Sequence, residues 1–142
     1  MNIFLDANIC LDLLDTTRPT SKKSVDWYLK NKDNREDEFY FSSDFITTFY
    51  YILTQKRKHN PKDTLKAIDA LSGEIIPHYI IHNDFIEAKN QFFKGAFNDF
   101  EDLIILNSAS RLKCTKFITN DKELLKLNNY LNIEITTPHS VR

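Results

Sequence analysis

Met-Asn-Ile-Phe-Leu-Asp-Ala-Asn, residues 1–8, decides how the rest of the chain is read. Ile3, Phe4 and Leu5 form a continuous apolar run, the pattern of a strand buried on both faces. The run stops at Asp6, and Asn8 two residues later is a good N-cap for a helix over residues 9–14. A carboxylate is thereby expected at the carboxyl end of a buried strand, where a helix begins. In open parallel sheets, ligands bind outside that edge. Any function depends on what else the chain brings there.

Working outward, the chain alternates. Residues 16–20, with Pro19, read as a turn, and Thr20 or Ser21 caps a helix through Lys30 that carries Val25, Trp27, Tyr28 and Leu29 on or near its apolar side. The charged stretch 31–38 reads as a surface connection. Residues 39–42 predict a second strand, and 43–56 a helix with Phe45, Phe49, Ile52 and Leu53 at helical spacing. Pro61 suits the first position of a helix running to Leu71 and stopped by Gly73, and 74–81 predicts a strand interrupted by Pro77. Asn83 or Asp84 starts a helix to about Phe93, and Asp99 starts another to Leu112. Residues 116–119 predict a strand, 121–127 a short helix and 133–136 a last strand. Strands separated by helices imply an α/β fold, a mostly parallel sheet with helices on both faces.

The chain has 142 residues, the size of one domain spanning 1–142, and 42% of them are hydrophobic, ordinary for a soluble globular protein. Net charge is −1, so no global positive field advertises nucleic acid, and such a partner would have to be met by a local basic patch. Cys10 and Cys114 are far apart and read as free thiols of a reducing compartment. Neither a signal-peptide pattern nor a membrane-length apolar stretch is present, so the expected location is the cytoplasm. Two glycines leave no room for a glycine-rich phosphate loop.

The acids carry the chemistry. Asp6 ends the first strand. Asp99 and Asp102 lie three apart at a helix start and share a face, and Asp121 ends Phe117-Ile118-Thr119-Asn120-Asp121, where a strand gives way to a helix. If both strands are central and parallel, Asp6 and Asp121 lie at one edge, within reach of Asp102. Each acid alone has an ordinary explanation as a cap, a first-turn acid or a solvated turn residue. Together they are harder to explain that way. Two carboxylates about 4 Å apart repel by roughly 4 kcal/mol at an effective dielectric of about 20. Converging acids therefore call for a cation among them or a retained proton. All-oxygen ligation suits a hard divalent ion, Mg²⁺ or Mn²⁺, and such a site supports phosphodiester hydrolysis by activating water and stabilising the leaving oxygen.

Four segments also resemble a known family. IFLDANICLDLL at 3–14, SSDFITTFYYIL at 42–53, DFEDLIILNSA at 99–109 and FITND at 117–121 are similar, in order, to the PIN-domain proteins, the family of the VapC-type toxins of toxin–antitoxin pairs. The resemblance implies a three-layer α/β/α sandwich and a Mg²⁺- or Mn²⁺-dependent endoribonuclease, the toxin of a type II pair, with RNA as substrate and a cognate antitoxin as partner. By position, Asp6, Asp102 and Asp121 match the core acids, and Asn8, Asp99 and Thr119 match supporting positions. Read from the residues alone, Thr119 offers a hydroxyl near Asp121, and Asn8 caps its helix.

The family usually places a glutamate early in the helix after the second strand, where this chain has Thr48. Asp44, one turn earlier on the same face, either fills that role or the site is weakened. Beside the acids, Lys122 and Lys126 are the candidates for phosphate contact; Arg111 and Lys113 lie at the far end of their helix and are expected to have no catalytic part. The run Lys56-Arg57-Lys58-His59 complements a helix C-terminus and reads as solvated surface. The aromatic stretch 45–53 suits an antitoxin groove, a homodimer contact or core packing, and Phe45, Phe49, Phe92 and Phe93 read as core or interface. Two other readings stand beside the nuclease: a PIN fold with a weakened site that only binds RNA or protein, and a phosphatase using Asp6 as nucleophile, against which Asn8 stands where a second acid is expected.

Overall fold

The computed structural model describes residues 1–34 and 36–139. Along the chain run β1 (Asn2–Leu5), α1 (Ala7–Leu14), α2 (Ser21–Asn31), β2 (Glu38–Ser42), α3 (Phe45–Tyr51) continued by a π-helical turn (Ile52–Lys56), α4 (Pro61–Glu74) and β3 (Ile76–His78). There follow α5 (His82–Phe93), α6 (Phe100–Arg111), β4 (Lys116–Ile118), α7 (Lys122–Leu127), β5 (Asn129–Tyr130) and β6 (Ile133–Thr136). The strands form one sheet in the order β3-β2-β1-β4-β6-β5, parallel throughout except for β5.

β1 is central, and its apolar run is buried on both faces, as expected. Ile3 and Leu5 point to one side, where Phe39, Phe41 and Ile118 join Ile9, Tyr28, Phe49, Leu53, Ile68 and Leu71 of helices α1, α2, α3, α4 and the π-turn. Phe4 points to the other, packing with Ala88, Leu103, Leu106, Phe117, Leu124, Ile133 and Ile135. The period-two alternation of a strand thus divides three adjacent residues between two cores. Phe4 and Phe117 stack at a centroid distance of 5.5 Å across the β1–β4 pair.

Topology makes the edge. From β1 the chain steps outward to β2 and β3, then returns through α5 and α6 to place β4 on the other side of β1. The order reverses between β1 and β4, so the helices following these two strands leave a crevice at their carboxyl ends.

Several boundaries differ from the sequence expectation. Asn8 does not cap the first helix: Asp6 does, its carboxylate accepting from Ala7 N–H at 2.8 Å, and α1 starts two residues earlier. Gly73 does not stop α4, which runs through it to Glu74; the C-cap is Ile75, whose N–H reaches Leu71. The strand expected over 74–81 shrinks to Ile76–His78 at the sheet edge, where Pro77 removes no central ladder bond. The helix expected over 43–56 starts at Phe45 and loosens into the π-turn from Ile52. β5 was not expected from the sequence. It pairs with β6 around Leu131 (φ 48°) and Asn132 (φ 65°), a two-residue turn with both central residues left-handed, and Leu-Asn lacks the glycine that usually signals such a turn. Of the connection expected over 31–38, residue 35 lies outside the described residues; α2 ends at Asn31 and β2 begins at Glu38. No described helix is long and apolar enough to cross a membrane.

Phe117→Ala should test the stack that joins the two strands of the site. Truncating a fully packed Phe costs about 3–5 kcal/mol, so the urea midpoint should fall steeply. A midpoint within error of wild type would show that this contact does not hold β4 against β1.

Candidate active site

Three chain segments meet at the end of the β1–β4 seam. The first is Asp6, whose backbone N–H continues the ladder by donating to the Ile118 carbonyl at 2.9 Å. The residue is 9% exposed. Thr119 Oγ1 donates to Asp6 Oδ2 at 2.7 Å, and Asn8 Nδ2 approaches the same oxygen at 3.4 Å. The second segment is Thr119-Asn120-Asp121. Here Asp121 N–H donates to Thr119 Oγ1 at 3.0 Å, and Asp121 Oδ1 caps α7 by accepting from Glu123 N–H at 2.9 Å. The third is the start of α6, where Asp99 accepts from Asp102 N–H at 3.2 Å. Asp102 projects from that first turn, partly buried.

The carboxylates feel one another. Asp102 is pushed up to about 7, first by burial and then by the negative charges of Asp99, Asp6, Asp121 and Glu101. Burial also raises Asp6; hydrogen bonds from Thr119, Ala7 and Asn8 oppose the shift, and the Asp121 charge adds to it. Glu101, in the first turn of α6, adds to this field.

Other buried carboxylates are treated differently. Asp12, Asp15 and Asp84 are each at most 2% exposed. Each has an arginine: Arg18 at 2.8 Å, Arg57 at 2.8 Å and Arg111 at 3.0 Å, respectively. Burying a charge without a partner is costly, and those three have partners. Among the described residues, Asp6 is held by neutral donors alone, and the charges bearing on Asp102 are all negative. Among the described residues, the deficit of positive charge on buried carboxylates is therefore specific to this cluster.

That deficit and the all-oxygen donor set fit a hard divalent cation in chemistry. Among the described residues, however, no three His, Cys, Asp or Glu side chains stand as a ready-made metal shell.

Asp44 and Thr48 lie exposed on the segment after β2. Asp44 precedes α3 without capping it, and is outside the set of acids acting on Asp102. Lys122 and Lys126 are exposed on α7, with Lys126 paired to Glu123 at 3.1 Å. One surface reading changes. Arg57, expected to be solvated, pairs with Asp15, which His59 also approaches at 3.5 Å. Arg111 ties α6 to the buried Asp84 of α5 and to the Tyr79 carbonyl. In the aromatic stretch, Phe49 and Leu53 are core while Tyr50 and Tyr51 face solvent, and Phe93, on α5, is 78% exposed.

A mostly parallel sheet whose switch point carries clustered carboxylates, with no ion pair among the described residues, defines an α/β protein with a candidate metal site. The sequence model of the PIN domain matches residues 3–129. The chain belongs to the PIN-domain family. Ribonuclease VapC1 of Aquifex aeolicus is 30% identical over 122 residues, covering 84% of this chain and 81% of that protein. Among solved structures, the sarcin–ricin loop cleaving toxin VapC20 of Mycobacterium tuberculosis superposes with a TM-score of 0.70 at 11% identity, covering 93% of this chain and 98% of its own. VapBC-1 of nontypeable Haemophilus influenzae superposes with a TM-score of 0.68 at 19% identity, covering 99% of this chain and 100% of its own. These two likenesses confirm the fold.

The raised Asp102 has a measurable consequence. Its folded-state value of about 7 lies above that of an unfolded aspartate, so between roughly pH 4 and 7 the native state binds the extra proton. Stability should fall as pH rises through that window. In EDTA, Asp102→Asn should melt above wild type at pH 8 and close to it at pH 4. Equal melting temperatures at both pH values would remove the electrostatic crowding inferred here.

Proposed function

We propose that the chain is a divalent-metal-dependent endoribonuclease that hydrolyses RNA phosphodiester bonds, and that it acts as the toxin of a type II toxin–antitoxin pair. The observation that carries this reading is the contrast between the arginine-paired buried aspartates and the unpaired group Asp6, Asp102 and Asp121 at the switch point. Family membership supports it, since the relatives include a ribonuclease and a toxin that cleaves the sarcin–ricin loop. The solved VapBC-1 structure, and that of VapBC2 from Rickettsia felis with a promoter DNA fragment, support an antitoxin as partner. The cytoplasm is the corresponding location.

Asp6, Asp102 and Asp121 are the residues that would hold Mg²⁺ or Mn²⁺. When bound, the ion neutralises their charge and supplies the Lewis acidity for phosphodiester hydrolysis. The chain's own residues prepare for it. The Thr119 hydroxyl orients one oxygen of Asp6, Asn8 supports the same oxygen, and the Ala7 N–H holds the other. Asp99 fixes the first turn from which Asp102 projects. Lys122 and Lys126, exposed on the helix that Asp121 caps, are placed to meet substrate phosphates. In this reading Asp44 takes the part of the glutamate replaced by Thr48. The opposing reading, a weakened PIN fold that binds RNA or protein without cutting, is favoured by the lack of a ready-made three-ligand shell among the described residues.

An RNA cleavage assay with Mn²⁺ separates the two. Wild type should cut, and Asp6→Asn and Asp121→Asn should lose at least about a hundredfold in rate if they ligate the ion. Absence of cutting by wild type, together with no Mn²⁺-dependent rise in melting temperature, would favour the binding module. Asp44→Ala should also lose activity; full activity would show that Asp44 does not replace the glutamate.

A further inference from the structure

Asp12 sits in α1 between Leu11 and Leu13 with 0% exposure. One oxygen accepts from Arg18 Nε and Thr20 Oγ1, both at 2.8 Å; the other accepts from Ser24 Oγ at 2.6 Å and Asn120 Nδ2 at 3.3 Å. Arg18, Thr20 and Ser24 suffice to explain a charge buried where α1 meets α2. Asn120 does not belong to that contact. It comes from the turn after β4 and lies between Thr119 and Asp121.

The Asn120 side chain is held at both ends. Nδ2 donates to Asp12, and Oδ1 accepts from Thr137 Oγ1 at 3.1 Å. Its backbone N–H donates to Asn8 Oδ1 at 3.0 Å. With that oxygen engaged, the Asn8 amide can face only one way, turning Nδ2 toward Asp6 Oδ2 at 3.4 Å and Thr119 Oγ1 at 3.2 Å. A continuous chain of bonds therefore runs from the buried Asp12 through Asn120 and Asn8 to Asp6, and it fixes the turn that carries Asp121.

We infer that Asn120 is a positioning residue for the acid site: clamped between Asp12 and Thr137, it locks Asn8 and the 119–121 turn, and so sets the separation of Asp6 and Asp121 for a divalent ion. The inference rests on the metal-site reading above. Asp6 and Asp121 repel each other, and a turn without the clamp yields to that repulsion. The clamp is also separable from the fold. Removing the Asn120 amide leaves Asp12 with its arginine and two hydroxyls, so the α1–α2 contact survives.

Thermal melting with increasing Mn²⁺ and no RNA tests this in wild type, Asn120→Ala, Thr137→Val and Asp6→Asn, alongside RNA cleavage. Asn120→Ala should melt in EDTA close to wild type yet need about tenfold more Mn²⁺ for half-maximal stabilisation, the usual effect of losing a residue that orients a ligand. Its kcat should drop with KM for RNA unchanged. Thr137→Val, which frees one end of the clamp, should shift the titration the same way by less. Titrations of both variants that coincide with wild type, while Asp6→Asn no longer responds, would overturn the clamp and leave the metal site standing. An Asn120→Ala protein that melts low in EDTA, beside a Thr137→Val that titrates as wild type, would reduce Asn120 to a structural residue and overturn the inference. A wild type that does not respond to Mn²⁺ would end both the metal reading and the clamp.

Discussion

The hydrogen bond from Thr119 Oγ1 to Asp6 Oδ2, 2.7 Å long, crosses the seam between β1 and β4 and joins their two ends. A carboxylate buried at a strand end must be satisfied by donors or lose its charge. Asp6 is satisfied by a hydroxyl, an amide and a backbone N–H, each of them neutral. The same hydroxyl receives the N–H of Asp121. One threonine thus spaces two acids that would otherwise separate, and the geometry of the site follows from that spacing.

Helix ends supply what partial compensation the fold provides. Asp6 caps α1, Asp99 caps α6 and Asp121 caps α7, so three helix N-termini point at one edge of the sheet. Each terminus carries a partial positive charge that favours a nearby anion, typically by 0.3–1 kcal/mol. That is less than the roughly 4 kcal/mol by which two close carboxylates repel. The caps make the acids tolerable without neutralising them, and Asp102 is pushed up to about 7, first by burial and then by the neighbouring acids. Elsewhere in the molecule the same problem is solved with arginine, at Asp12, Asp15 and Asp84. Supplying a guanidinium is the structural solution; under the proposed function, an exchangeable cation takes that place at the switch point.

How much of this was legible in the residues differs from element to element. Ile3, Phe4 and Leu5 announced a strand buried on both faces because three adjacent apolar side chains leave neither face for water. Asp99 as the cap of α6 and Asp121 as the cap of α7 were readable because capping is local, a side chain meeting an N–H two or three residues on. The first helix was misread by two residues because Asp6 and Asn8 are both good caps, and the choice between them was made by Thr119 and Asn120, more than a hundred residues away. Gly73 misled because a helical glycine costs only about 1 kcal/mol, which the packing of Leu71 and Ile75 against the core outweighs. Asp12 gave one signal, a lone charge between leucines, whose meaning depended on knowing that Arg18, Ser24 and Asn120 surround it.

What the sequence by itself determined is the set of local facts: apolar alternation, helix starts, the order of acid-bearing segments, and hence an α/β sheet with aspartates at strand and helix ends. Only the tertiary structure decided which carboxylates share a field, which have an arginine, and which turn is clamped by which side chain. Capping and alternation act over a few residues and leave their pattern in the chain. Coulombic coupling acts through space, and the order β3-β2-β1-β4 brings together residues that the sequence keeps far apart.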